Sequence, residues 1–448
     1  MKQNSASEKS HPTSISRRTF TNQTIAGGLA SSLTSFSGMS GLAAAAEKKS
    51  AALPFAGKKI LVPFSWSFKN IGDIGITPGI LHLTETYLPG AHVTILGNSS
   101  IDKYEEYLSS RFPNVDLVKA AYRNENSPED IKKCQQALDD ADLVMYNSGT
   151  TLSYGRWGFS WQRTMPLAMP LFLARDAGKP YGIYCQSFEM FSPPSDTLFR
   201  PLLNNAKFLF TRDTNSLAYL KSLGIQAPNM EFGPDATFGF NLDDRAGGDA
   251  IMKQYQLEDR KFITLTIRSP KQGFISAKRG RDHAAKMRQM ISDFVEKTGE
   301  RVLICVEVSL DIEETKASIY DPLPEKIKKN VAFKDTFWTP DEAFSVYKRA
   351  KCVVSMEMHS VILALAAGTP SIHPPFVEAG RKAQMVADIG LGEWLFDVDK
   401  DSQADMSQAL LTIHQDLPAA LKKVEKALVF VHQRQQETMA IVGKTLPG

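Results

Sequence analysis

The stretch "KCVVSMEMHSVILALAAGTPSIH" (residues 351–373) decides the fold. "KCVVSM" is a short apolar run without period-2 alternation, as in a strand buried on both faces. "HSVILALAA" follows directly as an apolar helix, Gly368-Thr369-Pro370 closes it, and "PSIH" opens a new strand-like run. Strand, helix and strand in this order imply parallel pairing. At the carboxyl end of the first strand stand Glu357 and His359, a titratable pair where a plain helix start would carry one small capping residue.

The same rhythm extends outward in both directions. Toward the N-terminus, "KILVPF" (59–64), "HVTILG" (92–97), "DLVMYN" (142–147), "YGIYCQS" (181–187) and "KFLFTRD" (207–213) alternate with helical stretches at 75–88, 127–140 and 213–223. After the polar, Gly-containing "NLDDRAGGDA" (241–250) it restarts with "KFITLTIRS" (261–269), "RVLICVEVS" (301–309) and "VAFKD" (331–335). The reading is α/β: two Rossmann-like, doubly wound domains, 58–240 and 250–400, with a cleft between them. Helices at 402–414 and 417–441 close the chain within 401–448, either packing outside or crossing back.

The 448 residues carry a net charge of only +3, with dispersed basic residues, which makes nucleic acid a poor partner. Residues 1–46 read as a Tat-type signal peptide: Arg17-Arg18, a mildly apolar region, then Ala44 and Ala46 at a cleavage site. The expectation is export by Tat to a periplasmic or extracytoplasmic location. Serines and threonines interrupt the apolar part, so no stable membrane span remains after cleavage. Cys134, Cys185, Cys305 and Cys352 show neither C-x-x-C nor zinc spacing and read as buried free thiols; no metal or cofactor is expected.

Ligands of open α/β sheets bind beyond the carboxyl ends of the strands, so the polar residues there are the candidates. Asn70, Gly72 and Asp73 follow the first strand; Asp73 either caps the next helix or turns its carboxylate to the cleft. The loop 147–163 offers Trp157 and Trp161, which either stack on a sugar or fill the core. Arg212 and Arg268 end strands, where each either holds an anion or makes a salt bridge. His359 and Ser360 open a helix whose amides favour an anion; His359 either gives a proton or holds a phosphate there, or caps its own helix.

Taken in order, these residues resemble the polysaccharide pyruvyl transferases over roughly 58–400. Asn70-Ile71-Gly72-Asp73 matches that family's "N-x-G-D" turn, and Arg212-Asp213, Ser216 and Leu220 its "R-D-x-x-S-x-x-x-L" segment. Asp235 to Phe238 and a strand ending in Arg268 follow. His359-Ser360, Gly368-Thr369-Pro370 and Lys382 before Gly390-Leu391 complete the set. The resemblance implies a GT-B-like fold and metal-free transfer of a pyruvyl group, as a ketal, from phosphoenolpyruvate to a glycan hydroxyl. It further implies that Arg212, Arg268, Ser360 and Lys382 meet the anionic donor, that His359 is the acid, and that Asp73 assists the acceptor. Asn70, Trp157 and Trp161 are the residues expected to meet the glycan. Glu357 stands where the family carries Arg; it is expected to partner His359 and to disfavour a trianionic donor. The other readings are a GT-B-like transferase using another donor and a non-catalytic glycan-binding protein.

Overall fold

Seven short strands form the first sheet: β1 (Lys59–Val62), β2 (His92–Gly97), β3 (Val115–Lys119), β4 (Leu143–Tyr146), β5 (Tyr181–Gln186), β6 (Leu209–Thr211) and β7 (Met230–Phe232). Five form the second: β8 (Phe262–Thr266), β9 (Arg301–Ile304), β10 (Val331–Phe333), β11 (Cys352–Ser355) and β12 (Ser371–Ile372). The computed structural model describes residues 53–447 except 64–68, 98–101, 123–126, 154–159, 192 and 194. The signal-peptide reading and Trp157 therefore lie outside the described residues.

The strands run parallel in the orders β3-β2-β1-β4-β5-β6-β7 and β10-β9-β8-β11-β12. Chain direction across the sheet reverses between β1 and β4 in the first and between β8 and β11 in the second. Such switch points open a crevice at the carboxyl ends, the place where ligands of this architecture bind. The central strands β4 and β5 are buried along their whole length, as their continuous apolar runs require. Two edge strands escape the pattern. β3 reads Val-Asp-Leu-Val-Lys with its polar residues more exposed, and β7 is only three residues long and half-buried.

The helices expected at 75–88, 127–140 and 213–223 form as Ile71–Tyr87, Pro128–Asp140 and Thr214–Ser222; the first starts earlier, so Asn70 and not Asp73 caps it. The polar stretch 241–250 is not a plain linker: Asp244 accepts a hydrogen bond from the Gly247 N–H at 3.0 Å and starts the helix Arg245–Gln254. All four cysteines are buried free thiols. Among the described residues no helix is long and apolar enough to cross a membrane.

The last helix, Leu417–Thr445, crosses back. Its 29 residues span about 44 Å at 1.5 Å per residue. Val424, Ala427 and Val431 enter the core of the second sheet, whereas Met439 and Val442 enter that of the first. Between them, Arg434 donates to Glu231 at 2.7 Å and to the Phe232 carbonyl at 2.6 Å. One rod thus braces both sheets. Truncating Met439 to Ala removes a fully buried side chain from the first core and should lower stability by about 2–5 kcal/mol, read as a lower denaturant midpoint.

Candidate functional site

Two turns zip together where the sheets meet. The Ile71 N–H donates to the Glu307 carbonyl at 3.0 Å, and the Ser309 N–H to the Lys69 carbonyl at 2.8 Å. Asn70 and Val308 form an isolated antiparallel bridge across this seam. Asn70, which the sequence offers to a glycan, instead spends its Oδ1 capping the helix Ile71–Tyr87, accepting from the N–H groups of Gly72 (2.7 Å) and Asp73 (3.3 Å). The Ile71 side chain is fully buried among Leu303, Trp338 and Leu363 of the second sheet's core.

This seam sets the His359 ring. A Cβ on Gly72 would lie 2.0 Å from His359 Nδ1, so only glycine lets the imidazole lie against that backbone. Asp73 is the next residue along, in the first turn of the helix that Asn70 caps.

The carboxylate that meets His359 is Glu307, not Glu357. Its Oε1 is 3.3 Å from His359 Nδ1, and its Oε2 accepts from the Ser360 N–H (2.7 Å) and Oγ–H (2.9 Å). Burial pushes the Glu307 carboxyl up, but the bonds and charge of His359 and the Ser360 donors outweigh it and hold it below the usual range. Glu307 was not singled out in the sequence, although it is the one carboxylate in the run "RVLICVEVS" and stands at a strand's carboxyl end. Ser360, expected to meet an outside anion, is already engaged by this internal one. His359 Nε2 is buried and has no hydrogen-bond partner among the described residues.

Glu357 turns to Arg268 instead, with Oε2 3.0 Å from NH1. Burial raises its pKa to about 7; Arg268 and Lys382 oppose the rise, Glu307 and Asp311 add to it. Lys382 is half-buried and its ammonium makes no hydrogen bond or ion pair among the described residues. Burial and the Arg268 charge bring it down to about 8, against the pull of Glu357. His373 donates from Nδ1 to the Ser355 carbonyl at 2.7 Å, and burial lowers it to about 4, so it is neutral.

Arg212 is corrected from ligand contact to framework. It is 1% exposed, with Nε donating to Ser187 Oγ (2.8 Å) and NH1 to Asp235 Oδ2 (2.5 Å). A buried guanidinium has to be paired. Burial works against the Asp235 charge, yet Arg212 and His359 hold that carboxyl at about 2. Asp235 also accepts from the Thr237 N–H and from Ser148 Oγ, joining the loops after β4 and β7. Trp161 opens the helix Trp161–Asp176 and stacks on Phe199, centroids 6.4 Å apart, so that face packs on the core rather than meeting a sugar. Among the described residues no group of three or more His, Cys, Asp or Glu could hold a metal.

The assembled site is therefore a seam of paired charges that, among the described residues, also holds His359 Nε2, the Lys382 ammonium and the Arg268–Glu357 pair. Known structures share this frame. The Anabaena protein Alr3699/HepE, solved with UDP and glucose, aligns with a TM-score of 0.54 at 12% identity, over 87% of this chain and 100% of that one. The UDP-GlcNAc 2-epimerase of Neisseria meningitidis, bound to UDP-GlcNAc, gives 0.54 at 12% identity over 86% and 100%. Staphylococcus aureus MnaA, solved with UDP, gives 0.52 at 13% identity over 82% and 91%. At such identities the likeness is one of fold, and that fold is GT-B-like. No curated protein matches in sequence. The family model for polysaccharide pyruvyl transferase matches residues 70–373, from the capping Asn70 to the buried His373, and the chain belongs to that family.

Proposed function

We propose that this glycan-modifying transferase moves the pyruvyl group of phosphoenolpyruvate onto two hydroxyls of a glycan, forming a cyclic ketal. The observation that carries the reading is the unpartnered, buried Nε2 of His359, in a seam that also holds Arg268 and the unpaired Lys382. Arg268 and Lys382 bind the donor's phosphate and carboxylate; an ammonium with three unspent donors and a guanidinium fork suit those groups. The donor's methylene carbon takes a proton while C2 bonds to the first glycan oxygen. The second oxygen then displaces phosphate. Of the two hydroxyl protons released, one balances the new methyl group and the other leaves on phosphate. His359 Nε2 carries the proton for the first step, and Asp73 orients the acceptor.

Glu357 shapes which donor fits. Ionised, it already neutralises Arg268; protonated, it frees that guanidinium for the ligand. A second reading, a transferase with a less highly charged donor, draws on this same pair. The N-terminal 46 residues we assign to Tat export, so the reaction takes place on an extracytoplasmic glycan.

Thermal melts with phosphoenolpyruvate, nucleotide sugars and oligosaccharides separate the donors, because a ligand held only by the folded state raises the midpoint. Phosphoenolpyruvate is expected to raise it, and Lys382→Ala to weaken that binding about 10- to 100-fold through loss of a charged contact. His359→Ala should abolish phosphate release with oligosaccharide present while leaving the fold intact. A shift with nucleotide sugars alone would replace the pyruvyl reading by the second.

The Glu357 carboxyl gives a pH test. Its folded pKa of about 7 lies above the ordinary 4.5, so the stability it contributes is complete below about 4.5 and is lost as pH rises through 7. Glu357→Gln never ionises. Its melting temperature relative to wild type should therefore climb between about pH 5 and pH 8; a constant difference would contradict the assignment.

Replacing Arg17-Arg18 with Lys-Lys should leave an unprocessed precursor in the cytoplasm, scored by fractionation. Unchanged processing would remove the export assignment.

A further inference from the structure

We propose that Glu307 is a positioning residue whose carboxylate fixes the His359 ring with Nδ1 as donor and Nε2 as the nitrogen presented to the ligand. The second half rests on the reading of His359 as the proton carrier; the first half stands on geometry alone.

Both oxygens of Glu307 are committed. Oε2 takes the Ser360 N–H at 2.7 Å and the Ser360 hydroxyl at 2.9 Å, so it is an acceptor and carries no proton. Oε1 faces His359 Nδ1 at 3.3 Å. The residue is 1% exposed, so no water layer competes for it. Its own place is fixed from the opposite side, where its carbonyl accepts the Ile71 N–H. Its charge sits at the start of the apolar helix Met358–Ala366, where the helix dipole and the Ser360 amide favour an anion and Glu357 gives no side-chain cap. The pKa of the Glu307 carboxyl, held low, agrees with an ionised acceptor.

The ring has no alternative seat. The Gly72 backbone lies against its Nδ1 and Cγ, closer than any Cβ would tolerate. Turning the ring over would set a C–H against the buried carboxylate and waste the bond. The arrangement also explains why Nε2 is left without a partner in a buried place: it is the one ring atom with its capacity unspent.

Isosteric replacement makes a sharp test. In Glu307→Gln the Ser360 N–H and hydroxyl still demand an acceptor, so the amide oxygen takes the Oε2 place and the NH2 faces Nδ1. Nδ1 then has to accept, and the proton moves to Nε2. The measurement is 15N NMR of the ligand-free, histidine-labelled protein at a pH about two units above the ordinary histidine value, where free imidazoles are neutral. The chain has eight histidines, and His359→Gln assigns the signal by its loss. Wild type is expected to carry the proton on Nδ1, and Glu307→Gln on Nε2. A bare Nδ1 in wild type overturns the proposal without any variant, which covers the case of a Glu307→Gln protein that does not fold. An unchanged tautomer in a folded Glu307→Gln protein overturns it as well. In parallel, Glu307→Gln should leave the midpoint shift given by phosphoenolpyruvate in place while cutting phosphate release at least tenfold. If phosphoenolpyruvate gives no shift in wild type, the donor reading fails while the tautomer result still decides the role of Glu307.

Discussion

The hydrogen bond from the Ile71 N–H to the Glu307 carbonyl is the contact on which the site depends. It joins the turn after β1 to the turn after β9, each at the carboxyl end of its sheet. The Ile71 side chain then buries itself in the other sheet's core, so apolar burial holds a polar junction in register. From there the geometry propagates. Asn70 caps the Ile71 helix, Gly72 comes flush against the imidazole, and Glu307 reaches the ring from the other side. Gly79 continues the same face two turns on, where a Cβ would lie 2.1 Å from the Ala236 carbonyl; the helix can approach the Asp235 turn because that position is bare.

A seam this dry has to balance its charges. An isolated buried ion costs several kcal/mol, so the most deeply buried ones are matched: Arg212 with Asp235, Glu307 with His359 and Ser360, Arg268 with Glu357. The pairs differ in character. Asp235 is held at about 2 and stays ionised, which makes the Arg212 pair a fixed strut. Glu357 at about 7 is poorly compensated, so its pair with Arg268 can be dissolved by one proton. Strut and exchangeable pair are made of the same residue types; what separates them is how many donors the carboxylate collects. Asp235 receives Arg212, the Thr237 N–H and Ser148 Oγ.

The parallel strands were legible because burial on both faces writes itself as unbroken apolar runs, as in "YGIYCQS" and "KCVVSM". β3 and β7 were not, since an edge strand is half solvated and its residues read as polar loop. Location of the site was legible too, because strand ends are easy to find and His359 stands at one. Partner choice was not. Glu357 is two residues from His359 in sequence, yet at a strand end the side chain's direction, not its proximity in sequence, decides what it touches. The carboxylate that arrives comes from the turn after β9, two strands away across β8 and 52 residues earlier. In the same way Arg212 reads in sequence as an anion holder or a salt-bridge partner, and only its burial against Asp235 decides between them.

A second junction explains why Lys382 is left unpaired. Its neighbour Arg381 donates from its guanidinium to the carbonyls of Phe188 and Glu189, packs 4.1 Å over the Tyr219 ring, and donates its backbone N–H to the Glu189 carboxylate. Six residues on, Asp388 accepts from the N–H and hydroxyl of Thr214. The segment carrying Lys382 is therefore pinned to the first sheet's loops at two points. Arg suits the anchoring role, since a planar fork can stack on an aromatic ring and bond two carbonyls at once; Lys suits the other, as a compact charge whose pKa shifts readily on burial. The adjacent cations thus divide the work: Arg381 spends its donors on the frame, and that anchoring holds the Lys382 ammonium among Arg268, Glu357 and Glu307 without a bond to any of them.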